Sequence, residues 1–122
     1  MLLNKPFIAF KFVEKRKMLD IIKQAMGFGP ATDFKSLKEN NGAIVVDVRS
    51  PGEFASGHGK GSINIPLDKI ENQINKLKKK NKPIITVCMS GARSGSAKRK
   101  LEAAGIEAYN GGNWNSLASK LN

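Results

Sequence analysis

The sequence predicts an α/β domain built on a small, mostly parallel sheet. Three observations carry that reading. Ala43-Ile44-Val45-Val46-Asp47-Val48 is a continuous apolar run ending in an acid and a valine, the pattern of a strand covered on both faces. Ile84-Ile85-Thr86-Val87 is a second such run, β-branched throughout. Around them apolar residues recur at helical spacing, and strands alternating with helices at these intervals argue for parallel pairing.

The elements follow in order. Met18, Leu19, Ile22, Ala25 and Met26 share one face behind Lys15-Arg16-Lys17, which predicts a short basic amphipathic helix. Packing on the domain is its simplest use, with a membrane surface as the other reading. Gly27-Phe28-Gly29-Pro30 breaks it, so residues 1–29 read as an extension and 30–122 as the domain. Asp33 caps a helix carrying Phe34 and Leu37, closed at Asn40-Asn41-Gly42. After the first strand, Ser50-Pro51-Gly52-Glu53 is a helix start: a serine cap, proline at the first position and glutamate three residues after the cap.

Gly57, Gly59 and Gly61 mark a loop, and Ile63-Asn64-Ile65 a short strand. Asp68 with Glu71 reads as the capping box of a helix whose buried stripe is Leu67, Ile70, Ile74 and Leu77. Lys78-Lys79-Lys80 suits the negative end of that helix, which stops before Pro83. The second apolar strand leads through Cys88-Met89-Ser90-Gly91 into a helix with Ala97, Leu101 and Ala104 on one face, stopped by Gly105. Ala108-Tyr109-Asn110 is a last strand, Gly111-Gly112 a turn, and Trp114 to Leu121 a terminal helix.

The chain has 122 residues, enough for one domain with its own core. Its formal net charge is +11, which favours anionic partners. Aromatic residues are few and the basic ones scattered, so a solvated basic surface accounts for the charge and nucleic acid is not expected. One cysteine excludes an internal disulfide and a cysteine-rich metal site, and one histidine without clustered ligands argues against zinc. Neither metal nor cofactor is expected. A lone thiol suits a reducing, cytoplasmic compartment. No segment is long enough to span a bilayer. Lys5 and Lys11 interrupt the apolar start and no cleavage site follows, so it does not read as a secretory signal; Met18 is an alternative start.

Cys88 falls where a strand hands over to a helix, beyond the carboxyl end of a parallel strand, where such folds place their sites. Amides of the loop Met89, Ser90, Gly91, Ala92, Arg93 and Ser94, none of them proline, can curl around its sulfur and favour negative charge there. That environment lowers a thiol's pKa and makes it a nucleophile. Gly91 permits the positive φ a tight cradle needs. Arg93 has two open roles, contacting an anionic substrate or pairing with an acid to hold the loop. Ser94 is expected to cap the helix with its hydroxyl. Asp47 and Arg49 end a buried strand and are expected to satisfy each other behind the loop. Glu53 is accounted for by its capping box, and Trp114 by packing.

These blocks resemble the single-domain rhodanese-like proteins. Asp47-Val48-Arg49-Ser50-Pro51-Gly52-Glu53-Phe54, Gly57-His58 and Gly61-Ser62-Ile63-Asn64-Ile65-Pro66 follow the family's first signature. Cys88-Met89-Ser90-Gly91-Ala92-Arg93-Ser94 follows its active-site loop, and Leu101 to Gly105 with Asn110-Gly111-Gly112 and Trp114 its closing signature. The resemblance runs from about Asp33 to Leu121. It implies a sheet of about five strands with helices on both faces. It also implies a sulfurtransferase that carries sulfane sulfur as a persulfide on Cys88. The donor is thiosulfate or another sulfur compound; the acceptor is cyanide, a small thiol or a cysteine of a sulfur-relay protein. No second cysteine is present, so the acceptor is external. His58 matches a framework position of the family. Gly59 departs from the pattern, which has an aliphatic residue there. A non-catalytic docking module is the alternative. A phosphatase- or arsenate-reductase-like enzyme fits less well, because those related loops are one residue longer than the Cys88–Arg93 spacing.

Overall fold

The structure, a computed structural model, describes residues 32–122. The helix expected over Met18 to Met26 and the break at Gly27-Pro30 lie outside the described residues. Helix α1 is Phe34–Asn41, and the Asp33 carboxylate accepts the Ser36 N–H at 3.0 Å as its cap. Strand β1 is Ile44–Asp47 and helix α2 Pro51–Ser56, started by the reciprocal Ser50–Glu53 capping box. Strand β2 is Ile63–Asn64. A 3₁₀ turn over Leu67–Lys69 leads into α3, Ile70–Lys80. Then follow β3, Ile84–Cys88; α4, Ala92–Ala103; β4, Ala108–Asn113; and α5, Trp114–Leu121.

The strands form one parallel sheet in the order β2-β1-β3-β4. Four strands are present among the described residues, against the expected five or so. β3 runs through the middle and is buried at every position, as its unbroken apolar pattern requires. Alternation along the strands divides the core into two layers. Val46, Val48, Ile84 and Cys88 pack with Ile70 and Leu77 of α3 and Ala97 and Leu101 of α4. Val45, Ile85 and Val87 pack on the other face with Leu117 and Trp114 of α5 and Phe34 and Leu37 of α1. Helices thus cover both faces. Each fully buried aliphatic side chain such as Ile84, Ile85 or Leu101 contributes about 1.5–3 kcal/mol.

Two local expectations are corrected. Asp68 does not cap α3: the 3₁₀ turn precedes the helix, neither start has a side-chain cap, and the Glu71 carboxylate instead meets Lys100 of α4 at 3.1 Å. Gly111-Gly112 is not a turn. The strand continues to Asn113, with Thr86 opposite Asn110 but Val87 opposite Gly112, so Gly111 is the extra residue of a bulge. The departure from the pattern at Gly59 falls beside a small pocket. Gly59, Val45, Val87, Trp114 and Leu117 line a small cavity of about 20 Å³, and a Cβ at Gly59 would sit 3.5 Å from Ala118.

Gly111 is a glycine for lack of room. A Cβ there would lie 2.8 Å from Ile85 Cγ2, 3.0 Å from Val87 Cγ1 and 3.1 Å from Leu117 Cδ2. Those neighbours are core side chains that cannot all retreat. Gly111→Ala is therefore expected to destabilise the fold by about 1–3 kcal/mol, measured as a lowered urea midpoint. An unchanged midpoint would mean that the core beneath the bulge yields freely.

Candidate active site

The carboxyl ends of β1, β3 and β4 bring Asp47, Cys88 and Asn113 to one edge of the sheet. The chain turns sharply after Cys88, and Gly91 takes φ 98°, a left-handed conformation that favours glycine. That turn points the Gly91 N–H at the Cys88 sulfur, 3.0 Å away. The first turn of α4 adds the Ser94 N–H at 3.4 Å and the Ser94 hydroxyl at 3.3 Å. Cys88 itself is fully buried, whereas Met89 and Ser90 on the outside of the loop are exposed.

Burial is the largest influence on the thiol and pushes its pKa up. The Ser94 hydroxyl and the amides of Ser94, Gly91 and Ser90 act together in the other direction, and hold it below its ordinary 9.0. The Ala92 N–H goes instead to the Ser90 hydroxyl at 3.4 Å. Ser94 does not cap α4, contrary to expectation. Gly91 occupies the cap position without a side-chain bond, and the buried Ser94 hydroxyl sits between two acceptors, 2.7 Å from Asn110 Oδ1 and 3.3 Å from the Cys88 sulfur, so its one proton goes to Asn110 or turns to the sulfur when that is a thiolate. Thr86, also buried, donates its hydroxyl to the Ser94 carbonyl at 2.8 Å and ties the start of α4 to the sheet.

Arg93 sets its guanidinium fork on Glu53 of α2, with bonds of 2.7 and 3.0 Å. Of its two open roles, pairing with an acid is the one occupied here. Glu53 also accepts the Ser50 N–H, so one carboxylate starts α2 and holds the loop of Cys88. Behind α2, Asp47 and Arg49 form a buried pair, Nε at 2.9 and 3.1 Å and Nη2 at 2.7 Å from the carboxylate. Arg49 also donates to the carbonyls of Glu53 and Gly57 and lies 4.7 Å over the Trp114 ring. That arrangement fixes α2, and with it Glu53, relative to β1. His58 is exposed, stacked on Phe54 with 3.7 Å between ring centroids, and its Nδ1–H donates to the Phe54 carbonyl at 2.7 Å.

Thr86, Asn110 and Asn113 were not among the expected site residues. Asn113 carries one signal in the sequence, as a capping residue directly before the terminal helix; the parallel register that sets it opposite Cys88 carries none. Among the described residues no group of three or more His, Cys, Asp or Glu side chains is placed to hold a metal ion. No helix among them is long and apolar enough to cross a membrane.

The hydrogen bonds of Arg93 first, then that of the Ser50 amide, lower the Glu53 pKa from an ordinary 4.5 to about 2. A carboxylate depressed in the folded state stabilises the fold fully above its unfolded pKa and loses that contribution as pH falls through its folded one. Wild-type stability attributable to Glu53 is thus expected to decline from pH 4.5 to 2. Glu53→Gln should be less stable at neutral pH and converge on the wild type across that window. Urea midpoints at a series of pH values test this; a constant difference would remove the ion pair from the account.

The rhodanese-like domain model matches residues 30–115. The chain is 39% identical over 69 residues to the uncharacterized protein YqhL of Bacillus subtilis, covering 56% of this chain and 54% of that protein. It is 36% identical over 61 residues to the thiosulfate sulfurtransferase PspE of Escherichia coli, covering 49% of this chain and 59% of that protein. The chain thus spans little more than half the length of these curated relatives. A solved rhodanese with anions from E. coli superposes with a TM-score of 0.55 at 32% identity, covering 60% of this chain and 88% of that one. A rhodanese-like domain protein from Staphylococcus aureus gives 0.59 at 34% identity, covering 68% and 80%. With the cysteine loop at the head of α4 and a family match across nearly the whole described domain, the chain belongs to the rhodanese-like domain family.

Proposed function

We propose that the chain is a sulfurtransferase that carries sulfane sulfur as a persulfide on Cys88. The observation that supports this most directly is the Cys88 sulfur, removed from water yet bonded by the Gly91 and Ser94 amides. Thiol chemistry of this kind needs a thiolate and a place for negative charge on the transferred atom. The same N–H groups serve both needs in turn.

In the proposed cycle the Cys88 thiolate attacks the outer sulfur of thiosulfate. The sulfur–sulfur bond of the donor breaks and sulfite leaves with the electron pair. A thiolate or cyanide then attacks the terminal sulfur of the persulfide, the bond to Cys88 breaks, and the thiolate returns. No oxidant or reductant is consumed. One cysteine in the chain leaves this second step to an external acceptor: cyanide, a small thiol or a cysteine of a sulfur-relay protein. Residues 30–122 make up the domain in this reading and 1–29 its basic extension, with a reducing, cytoplasmic setting for the thiol.

The reading assigns Cys88 as nucleophile and the Met89 to Ser94 loop as the binding element. Arg93 contributes through Glu53 by holding that loop, while Asp47, Arg49 and His58 act as framework. Relatives support the coarse activity, since one curated match is a thiosulfate sulfurtransferase and another, from Pyrobaculum aerophilum, a tRNA sulfurtransferase.

Cys88→Ser is expected to abolish sulfur transfer from thiosulfate to cyanide while melting at nearly the wild-type temperature. Mass spectrometry of the wild type after thiosulfate exposure should show one added sulfur atom on the Cys88 peptide. Wild-type protein that takes up no sulfur from any sulfane donor would point to a docking module instead. Robust phosphate release from an aryl phosphate would favour the phosphatase-like alternative.

A further inference from the structure

We propose that Asn113 is a positioning residue for the nucleophile: its side-chain amide holds the Met89 carbonyl and so aims the loop's amides at the Cys88 sulfur. The inference deepens the sulfurtransferase reading and rests on Cys88 being the reactive atom.

The geometry begins with the bulge. In a regular register Gly112 would lie opposite Cys88. The extra residue Gly111 moves the pairing by one, so that Asn113 lies opposite Cys88. From there Asn113 Nδ2 donates to the Met89 carbonyl at 2.7 Å. The Met89 carbonyl and the Ser90 N–H belong to one trans peptide unit and point in opposite directions. Pinning that carbonyl on the β4 side turns the Ser90 N–H the other way, and the Ser90 amide is one of those acting on the thiol. The next peptide carries the 3.0 Å bond from Gly91 to sulfur. On its far side, Asn110 Nδ2 holds the Gly91 carbonyl at 3.0 Å. The peptide making the shortest bond to sulfur is therefore held between two side-chain amides of β4.

Capping does not account for the whole of Asn113. Its Oδ1 alone caps α5, accepting from Asn115 and Ser116 at 3.0 and 2.9 Å. Serine or aspartate caps about as well, and threonine somewhat less so. The NH₂ group is surplus to the cap and is spent on Met89. The charged groups nearest the loop are already paired. Arg93 on α4 is paired with Glu53 of α2, and Asp47 at the end of β1 with Arg49. Tyr109 and Glu107, further back on β4, bind each other at 2.7 Å.

The test compares full-length wild type with Asn113→Ser and Asn113→Thr, both of which keep an oxygen for the cap and lose the long amide. Iodoacetamide labelling is followed against pH; with one cysteine in the chain the signal belongs to Cys88 alone. Both variants are expected to raise the labelling midpoint by roughly half to one pH unit, and to slow labelling at neutral pH about three- to tenfold. Thermal melting should show the fold retained. A midpoint unchanged in both variants overturns the proposal, and sulfur loading from thiosulfate separates it from the reading beneath it. A raised midpoint supports the role of Asn113 even in a chain that never takes up sulfur, a result that would sink the transferase reading alone. Normal loading with an unmoved midpoint sinks only the role of Asn113.

Discussion

A thiolate taken out of water survives only where hydrogen bonds replace the solvent it has lost. Around Cys88 that replacement comes almost wholly from backbone amides and one hydroxyl, at 3.0 to 3.4 Å. The rest of the site can be understood as the apparatus that keeps those donors turned inward. Gly91 supplies the backbone angle, Thr86 secures the first turn of α4, and the asparagines of β4 hold the outer carbonyls. None of these groups carries a net charge. Oriented dipoles of this kind cost no reorganisation when charge develops on an atom held among them.

Charged residues have a different task. Asp47 is fully buried and would be costly unpaired, so Arg49 must accompany it. Having done so, Arg49 has donors left, and these fasten the Glu53 carbonyl of α2 and the Gly57 carbonyl just after it. α2 in turn presents Glu53 to Arg93. A chain of two ion pairs thus runs from the middle of the sheet to the loop of Cys88, neutral at each stage. The inner pair is dry and the outer pair about a third exposed, so added salt weakens the outer one first.

Much of this was legible in the sequence where the controlling interaction is local. Ser50 and Glu53 stand three apart and cap α2 as read; the apolar runs at β1 and β3 are the strands at the centre of the sheet. Failures cluster where the deciding partner is remote. Ser94 has the chemistry of a cap, but Asn110 and Cys88 claim its hydroxyl from other elements. Asp68 and Glu71 have capping-box spacing, but a 3₁₀ turn comes first and Glu71 meets Lys100. Gly111-Gly112 has turn chemistry, yet the contact of Gly111 with Ile85, Val87 and Leu117 is a property of the packed sheet. Spacing along a chain reports neighbours within a few residues; it is silent about register between strands.

The excess of positive charge is consistent with this division of labour. Because the charges next to Cys88 cancel in pairs, the net +11 resides elsewhere, and on the described domain it includes Lys78, Lys79 and Lys80 at the end of α3. Such surface charge acts over about a Debye length, roughly 10 Å at moderate salt. It raises the encounter rate of any anion without distinguishing one from another. Discrimination between anions must then fall to the cradle, where only an atom that fits among the amides can sit. Separating attraction from selection in this way leaves the surface free to vary in charge while the geometry around Cys88 stays the same.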